Sequence, residues 1–240
     1  MKTVLVFAGL DPSGGAGLSA DILAIAAMGA HALPVATALT VQDNERVFEV
    51  VPVETSLLTR TAEALMVRFA IDAVKIGIPG NHANALAIAA VVARLRERAP
   101  DLPVVLDPVL SSGRGDALGQ GDAIAALLRV TTLLVPNLHE AIDDVPCPHV
   151  LLTGGHGHGD VVVNRWLHDG VRRDWTWPRL PGEFHGSGCT LAAAIAARLA
   201  QGDEMADALE KGQAFCHKTL AQSFSIAPGQ RIPRRFLSTT

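Results

Sequence analysis

The chain has 240 residues, 49% of them hydrophobic and 18% charged, which supplies ample apolar material for a core and excludes a disordered chain. Its 24 acidic residues outnumber its 20 basic ones, so no positive excess is present to attract nucleic-acid phosphates or anionic lipid, and neither is expected as a partner. Three cysteines, Cys147, Cys189 and Cys216, are too few and too widely spaced for a disulfide framework or a paired metal or redox motif, which fits a reduced cytoplasmic setting.

Taken in chain order, the apolar stretch from Met1 to Leu10 stops at Asp11 and Pro12 and reads as a first strand, too short for a signal peptide. Leu18, Ile22, Ile25 and Gly29 follow a glycine-rich turn at helical spacing, and Leu33 to Val41 reads as a buried strand. Ile22 to Val41 is long enough to cross a membrane, but Gly29, His31, Pro34, Thr37 and Thr40 interrupt it, so helix, turn and strand explain it better. Arg46 to Val53 alternates in strand fashion, Leu57 to Phe69 returns to a helical period, and Ala73 to Ile76 is a short strand.

Ala83 to Arg98 is alanine-rich with arginines gathered at its end, where they complement the helix dipole. Val104 to Leu106, Leu133 to Val135 and Val150 to Leu152 look like central parallel strands, with Asp122 to Leu128 helical among them. Val161 to Leu167 and Val171 to Trp177 resemble two antiparallel strands, and helices over Gly188 to Ala200 and Met205 to Ser223 complete the pattern. This alternation implies a doubly wound α/β fold with ligands at the carboxyl ends of its strands. No repeat or linker divides it, so a single domain over 1–240 is expected.

Two glycine-rich segments carry the strongest chemical signal. His185 to Thr190, HGSGCT, opens directly into an alanine-rich helix, so the N–H groups of Gly186, Ser187, Gly188 and Cys189 fall where a helix leaves its donors unpaired. That arrangement is an anion hole; the bland alternative is an ordinary helix start with Ser187 as N-cap. The helix dipole would lower the Cys189 thiol pKa, and a bound polyphosphate would raise it again. Cys147 and Cys216 lack such a setting and read as structural.

The second segment, Gly9 to Gly17, GLDPSGGAG, permits a backbone loop to cover a small molecule. Asp21 follows in an otherwise apolar helix, where a buried carboxylate needs a partner. Gln42 and Asp43 end an apolar strand; a glutamine amide matches a ring nitrogen beside an exocyclic amine, although a plain turn explains the pair equally well. Asp107, Asn137 and Glu140 follow predicted central strands and offer oxygen ligands suited to hydrated Mg²⁺, with capping and turn chemistry as the alternative. Leu151 to Asp160, LLTGGHGHGD, reads as a flexible glycine loop over a nucleotide.

In this order, GLDPSGGAG with Asp21, the strand end TALTVQ, AVKIGI, LDPV, PNLHEA and HGSGCT resemble the ribokinase-like superfamily, and within it the hydroxymethylpyrimidine/phosphomethylpyrimidine kinases of thiamine biosynthesis. The resemblance implies a three-layer α/β/α sandwich with a mostly parallel central sheet. It also implies that Gly186, Ser187 and Gly188 form the anion hole with Cys189 as catalytic residue. Asp21 and Gln42 become pyrimidine contacts in a pocket lined by Gly9, Ile78 and Val109. Asp107, Asn137, Thr153 and Gly155 would serve ATP, with Asp107 and Glu140 toward Mg²⁺.

Thr153 stands where many family members have lysine, Ile78 where methionine is frequent, and little chain is left between Glu140 and Val150 for the usual helix. ATP would phosphorylate 4-amino-5-hydroxymethyl-2-methylpyrimidine and then its monophosphate. A cytoplasmic homodimer is the expected assembly. A pyridoxal kinase of the same superfamily is the rival reading, opposed by Gln42; a non-catalytic pyrimidine sensor is the other, opposed by the joint presence of Cys189, Asn137 and Glu140.

Overall fold

A computed structural model of the chain describes residues 1–108, 121–140 and 145–236. The first strand, β1 (Thr3–Leu10), is buried on both faces, as a near-continuous apolar run requires. It leads through the glycine loop into α1 (Gly17–Ala27) and then β2 (His31–Gln42). Gly29 stops α1 in the left-handed conformation at φ 83°, with the Ala30 N–H reaching back to Ile25 O (3.1 Å), so the stretch suspected of spanning a membrane is broken where the sequence placed the turn. No helix among the described residues is long and apolar enough to cross a membrane.

The chain continues through β3 (Val47–Pro52), α2 (Thr55–Arg68), β4 (Ala73–Ile76), α3 (His82–Arg96), β5 (Val104–Leu106), α4 (Gly121–Leu128), β6 (Leu133–Leu134) and β7 (His149–Leu152). It closes with β8 (Val161–His168), β9 (Val171–Pro178), α5 (Ser187–Ala200) and α6 (Met205–Ala221). Helix α3 starts one residue before the alanine-rich pattern because the Asn81 side chain caps it, accepting from the Asn84 N–H at 2.8 Å.

The described strands form one sheet in the order β3-β2-β1-β4-β5-β6-β7-β8-β9. Pairing is parallel from β2 to β7, while the β2–β3, β7–β8 and β8–β9 pairs are antiparallel. Apolar side chains alternate between two cores. Val4, Val6 and Ala8 of β1 pack with α1, α5 and α6, and Leu5 and Phe7 pack with α2, α3 and α4. The result is the expected three-layer α/β/α sandwich, whose strand order reverses between β1 and β4. That switch point opens a crevice at the carboxyl ends of the strands.

Helix α5 explains its own alanine content. Thr190 to Ala197 are all buried, because α5 is enclosed by the sheet, α1 and α6. Small side chains let the helices approach closely, and the approach is tightest where Gly212 of α6 faces Ile195. A Cβ at Gly212 would lie 2.5 Å from Ile195 Cγ1 and 3.3 Å from its backbone nitrogen.

This contact sets a stability prediction. Gly212→Ala improves helix propensity by roughly 1 kcal/mol yet forces α5 and α6 apart, and overpacking of a tight core outweighs that gain, for a net loss of about 1–2 kcal/mol. Urea denaturation measures it, and an unchanged or raised midpoint at equal slope would show that the helix pair yields without cost.

Candidate active site

A cavity of about 600 Å³ opens at the switch point, and Gly186, Ser187, Gly188 and Cys189, the residues expected to form an anion hole, line its wall. The first hydrogen bond inside α5 runs from the Thr190 N–H to Gly186 O at 3.0 Å, so the N–H groups of Gly186, Ser187, Gly188 and Cys189 all precede the helical ladder. The bland reading of this turn is corrected. Gly186, not Ser187, is the N-cap, and it sits at φ 74° with no side-chain cap, while Ser187 is the first helical residue. Only glycine fits, since a Cβ at 186 would lie 2.1 Å from Gly15 O.

The GLDPSGGAG loop is therefore the surface against which the helix start is pressed. Asp11 organises that loop: its carboxylate accepts from the Ser13 N–H (2.7 Å), the Ser13 hydroxyl (2.9 Å) and the Ala16 N–H (2.7 Å). It also meets His185 Nε2 at 2.8 Å, tying the two glycine segments together. Burial works against the Asp11 charge, but the hydrogen bonds from His185 and Ser13 prevail and hold its pKa below the usual carboxylate range.

Beneath the hole lies a buried cluster of ionisable groups. Lys75, on the four-residue strand β4, is 0% exposed and bonds Asp21 Oδ2 at 2.9 Å. Burial disfavours the Lys75 charge, yet the neighbouring carboxylates, Asp21 first, outweigh it and hold the ammonium charged, well above its ordinary range. Asp21 is pushed up to about 6 by burial, with Lys75 opposing. Asp21 is also fully buried and is not part of the cavity wall, whereas Lys75 is. Asp21 bonds Lys75 through Oδ2, while its Oδ1 is buried with no hydrogen-bond partner among the described residues.

Asp107 follows β5 and faces the start of α5; a Cβ at Gly188 would lie 3.5 Å from Asp107 Oδ1. Its Oδ2 is buried without a hydrogen-bond partner among the described residues. Burial raises the Asp107 pKa, with Lys75 and the Cys189 thiol moderating the rise. Cys189 keeps some surface toward the cavity but lies deep: burial first, then Asp107 and Asp21, push its thiol up to about 12, against Lys75 and a hydrogen bond from the Gly17 backbone. The net shift is opposite to the lowering expected from the helix dipole, because desolvation beside two carboxylates sets the direction.

At the β1–β2 end of the cavity stand Gly9, Gln42 and Ile78. A Cβ at Gly9 would lie 2.6 Å from Ile78 Cδ1, so the two share one stretch of wall. The β2–β3 register shifts between Val41 and Gln42, a bulge at the point where Gln42 joins the cavity, while the Asp43 side chain is used by the turn and accepts from the Glu45 and Arg46 N–H groups (both 2.8 Å). Val109 lies outside the described residues.

At the opposite end the cavity wall includes Asn137, Glu140, Thr153 and Gly155. Turn chemistry is also present here: Asn137 Oδ1 accepts from the His139 N–H (2.8 Å) and a Glu140 carboxylate oxygen accepts from the Asn137 N–H (3.3 Å). Thr153 bonds Pro136 O through its backbone N–H (2.9 Å) and its hydroxyl (3.2 Å).

Sequence reasoning missed Asp11 and Lys75 as site residues. Lys75 had a signal, a lone lysine inside a buried apolar strand. Asp11 had a weaker one, an acidic residue followed by backbone donors in a glycine turn.

Comparison with known proteins places this geometry in context. The model of the family "Phosphomethylpyrimidine kinase" matches residues 11–143 and 140–233. The hydroxymethylpyrimidine/phosphomethylpyrimidine kinase of Rhizobium meliloti (strain 1021) is 32% identical over 257 residues, covering 94% of this chain and 93% of that protein. Among solved structures, the ADP complex of Bacillus subtilis pyridoxal kinase has a TM-score of 0.86 over 98% of this chain and 97% of that one, at 21% identity, a likeness of fold. The phosphomethylpyrimidine kinase of Clostridium difficile 630 has a TM-score of 0.74 at 25% identity, over 92% of this chain and 100% of that one. Sequence likeness that runs nearly end to end settles the kinship: the chain belongs to the phosphomethylpyrimidine kinase family.

Proposed function

We propose that this protein transfers the γ-phosphoryl group of ATP to the hydroxymethyl oxygen of 4-amino-5-hydroxymethyl-2-methylpyrimidine, and then to the phosphate of the monophosphate, as a step of thiamine biosynthesis. The observation that carries this reading is the open start of α5, with Lys75, Asp107 and Cys189 on the same cavity wall. Phosphoryl transfer has a loose transition state, so alignment and charge stabilisation are the main tasks. The amides of Gly186 to Cys189 and the Lys75 ammonium supply that charge, and Gln42 at the β1–β2 end would pair with the pyrimidine's ring nitrogen and amine.

The first acceptor must lose a proton as its oxygen bonds phosphorus. A thiol held near 12 is protonated at neutral pH and is no resting base. Asp107, raised in pKa and with an unpartnered buried oxygen, is the better acceptor, and Cys189 would act as a relay that passes its own proton to Asp107 as it takes that of the hydroxyl. The monophosphate brings an anionic oxygen and needs this path less.

The donor set fits Mg²⁺ with Glu140 on the cavity wall as the residue that would hold the hydrated ion; Asp107, expected from the resemblance to share it, is read here as the proton acceptor instead. Among the described residues no group of three or more His, Cys, Asp and Glu could hold a metal unaided, which suits an ion that keeps waters and takes phosphate oxygens. When bound, such an ion would neutralise phosphate charge. We read the protein as a single cytoplasmic kinase domain that pairs with a second copy. Leu39, Val41 and Phe48 on the β2–β3 hairpin, 51%, 52% and 62% exposed, are the surface favoured for that pairing, and sedimentation tests it.

Coupled ADP-release assays with the pyrimidine, its monophosphate and pyridoxal test the assignment; turnover of pyridoxal alone would overturn it. Cys189→Ala and Asp107→Asn should each slow the hydroxymethyl substrate on the order of 10²–10⁴-fold and the monophosphate less. In the wild type, kcat/KM for the hydroxymethyl substrate should rise with pH through a pKa above the usual carboxylate range, because the base works only when deprotonated.

Iodoacetamide should label Cys189 at pH 7 far more slowly than a free thiol, since little thiolate is present. Rapid labelling there would contradict the protonated relay. Gln42→Leu should weaken pyrimidine binding by about 1–3 kcal/mol in titration calorimetry, and equal affinity would remove Gln42 from the pocket.

A further inference from the structure

Arg235 is the largest fully buried side chain of the structure, at 1% exposure, although it belongs to the segment that follows α6. That segment is held beside the HGSGCT turn. The His185 N–H donates to Arg231 O (2.9 Å), the Arg231 N–H to Glu183 O (2.8 Å), and the Arg234 N–H to Thr219 O (3.0 Å). The next side chain turns inward. Arg235 Nε donates to Thr190 Oγ1 (2.8 Å), and its Nη2 donates to Gly15 O (2.6 Å) and Gly186 O (3.3 Å), with His185 O at 3.5 Å.

These acceptors are the rear faces of the peptides that form the anion hole. In a trans peptide the C=O and N–H point in opposite directions, so fixing Gly186 O fixes the Ser187 N–H, and fixing His185 O fixes the Gly186 N–H. The Thr190 hydroxyl adds its own bond to Gly186 O (2.7 Å), joining the same brace. Among the described residues every hydrogen-bond acceptor of the guanidinium is a neutral oxygen, and its Nη1 is buried with no hydrogen-bond partner. Asp21 and Asp11 act on it only through their charge, without a hydrogen bond, and a buried arginine with no directly bonded carboxylate is costly to the fold, which singles this one out.

We propose that Arg235 is a positioning residue for the anion hole: it braces Gly15, Gly186 and Thr190 so that the Gly186 and Ser187 N–H groups face the cavity. The inference deepens the kinase reading and rests on it for its kinetic arm. It does not rest on it for anion binding, which any ligand phosphate would use.

The test uses the full chain with Arg235→Ala, Arg235→Lys and Thr190→Val, read by ADP release with the hydroxymethylpyrimidine and by calorimetric titration of inorganic phosphate. For Arg235→Ala, kcat should fall on the order of 10²-fold with the pyrimidine KM within about threefold, and phosphate affinity should fall about tenfold. Millimolar guanidinium should restore part of both. Arg235→Lys should recover little, since an ammonium lacks the planar fork that spans several carbonyls.

A folded Arg235→Ala protein with wild-type kcat and phosphate affinity overturns the proposal, as does an activity loss that tracks thermal stability and ignores guanidinium. If Arg235→Ala does not fold, Thr190→Val decides: kcat lowered about three- to tenfold at unchanged pyrimidine KM supports the brace, and wild-type values overturn it. A wild-type chain that binds phosphate in an Arg235-dependent way but phosphorylates no pyrimidine sinks the kinase reading and leaves the brace standing.

Discussion

A helix can hold an anion at its start only if its first peptide groups are left open and something else keeps them in place. In this protein α5 begins at Ser187 with its ladder starting from Thr190, and the open amides are kept in register by pressure from outside the helix. Gly186 sits so close to Gly15 that any side chain at 186 would collide with a backbone oxygen at 2.1 Å. The fold's switch point, the loop after β1 and the start of α5 are consequently a single mechanical unit. The Asp11–His185 contact binds that unit on the cavity side, and the side chain of Arg235 binds it from behind.

Electrostatics follow from the same crowding. The sheet and helix α1 put Lys75, Asp107 and Asp21 into a fully buried region, so every charge there must be answered by another. Lys75 answers Asp21 directly at 2.9 Å, and its remaining influence reaches Asp107 and Cys189. A sulfur at the start of a helix is ordinarily a good candidate for a thiolate, but desolvation beside two carboxylates reverses that expectation and leaves it protonated. Reactivity at this position is a property of the cluster more than of the cysteine.

The residues differ in how far each could be read in advance. The strands were legible because β1 and the central parallel strands are apolar on both faces, and α1, α3 and α5 because a glycine-rich turn, clustered terminal arginines and alanine content mark them, although the Asn81 cap of α3 was not read. The open start of α5 was legible because its donors are backbone, so that spacing alone places them ahead of the helical ladder. Asp21 was legible as buried but its partner was not, since nothing local to it points to a lysine 54 positions away. Arg235 gave no local sign, because an arginine near the end of a chain is ordinarily solvated.

Periodicity and glycine placement thus determined the architecture and the open backbone start of α5, both of which depend on short-range stereochemistry that the sequence states directly, while the family was read from the resemblance of its ordered motifs. Tertiary structure alone decided which acid faces which base, that Gly186 and not Ser187 caps α5, that Cys189 keeps its proton, and that Arg235 lies beneath the hole. Those outcomes depend on distances between segments far apart in the chain and on how much water remains between them, and neither quantity is written in any single stretch of residues.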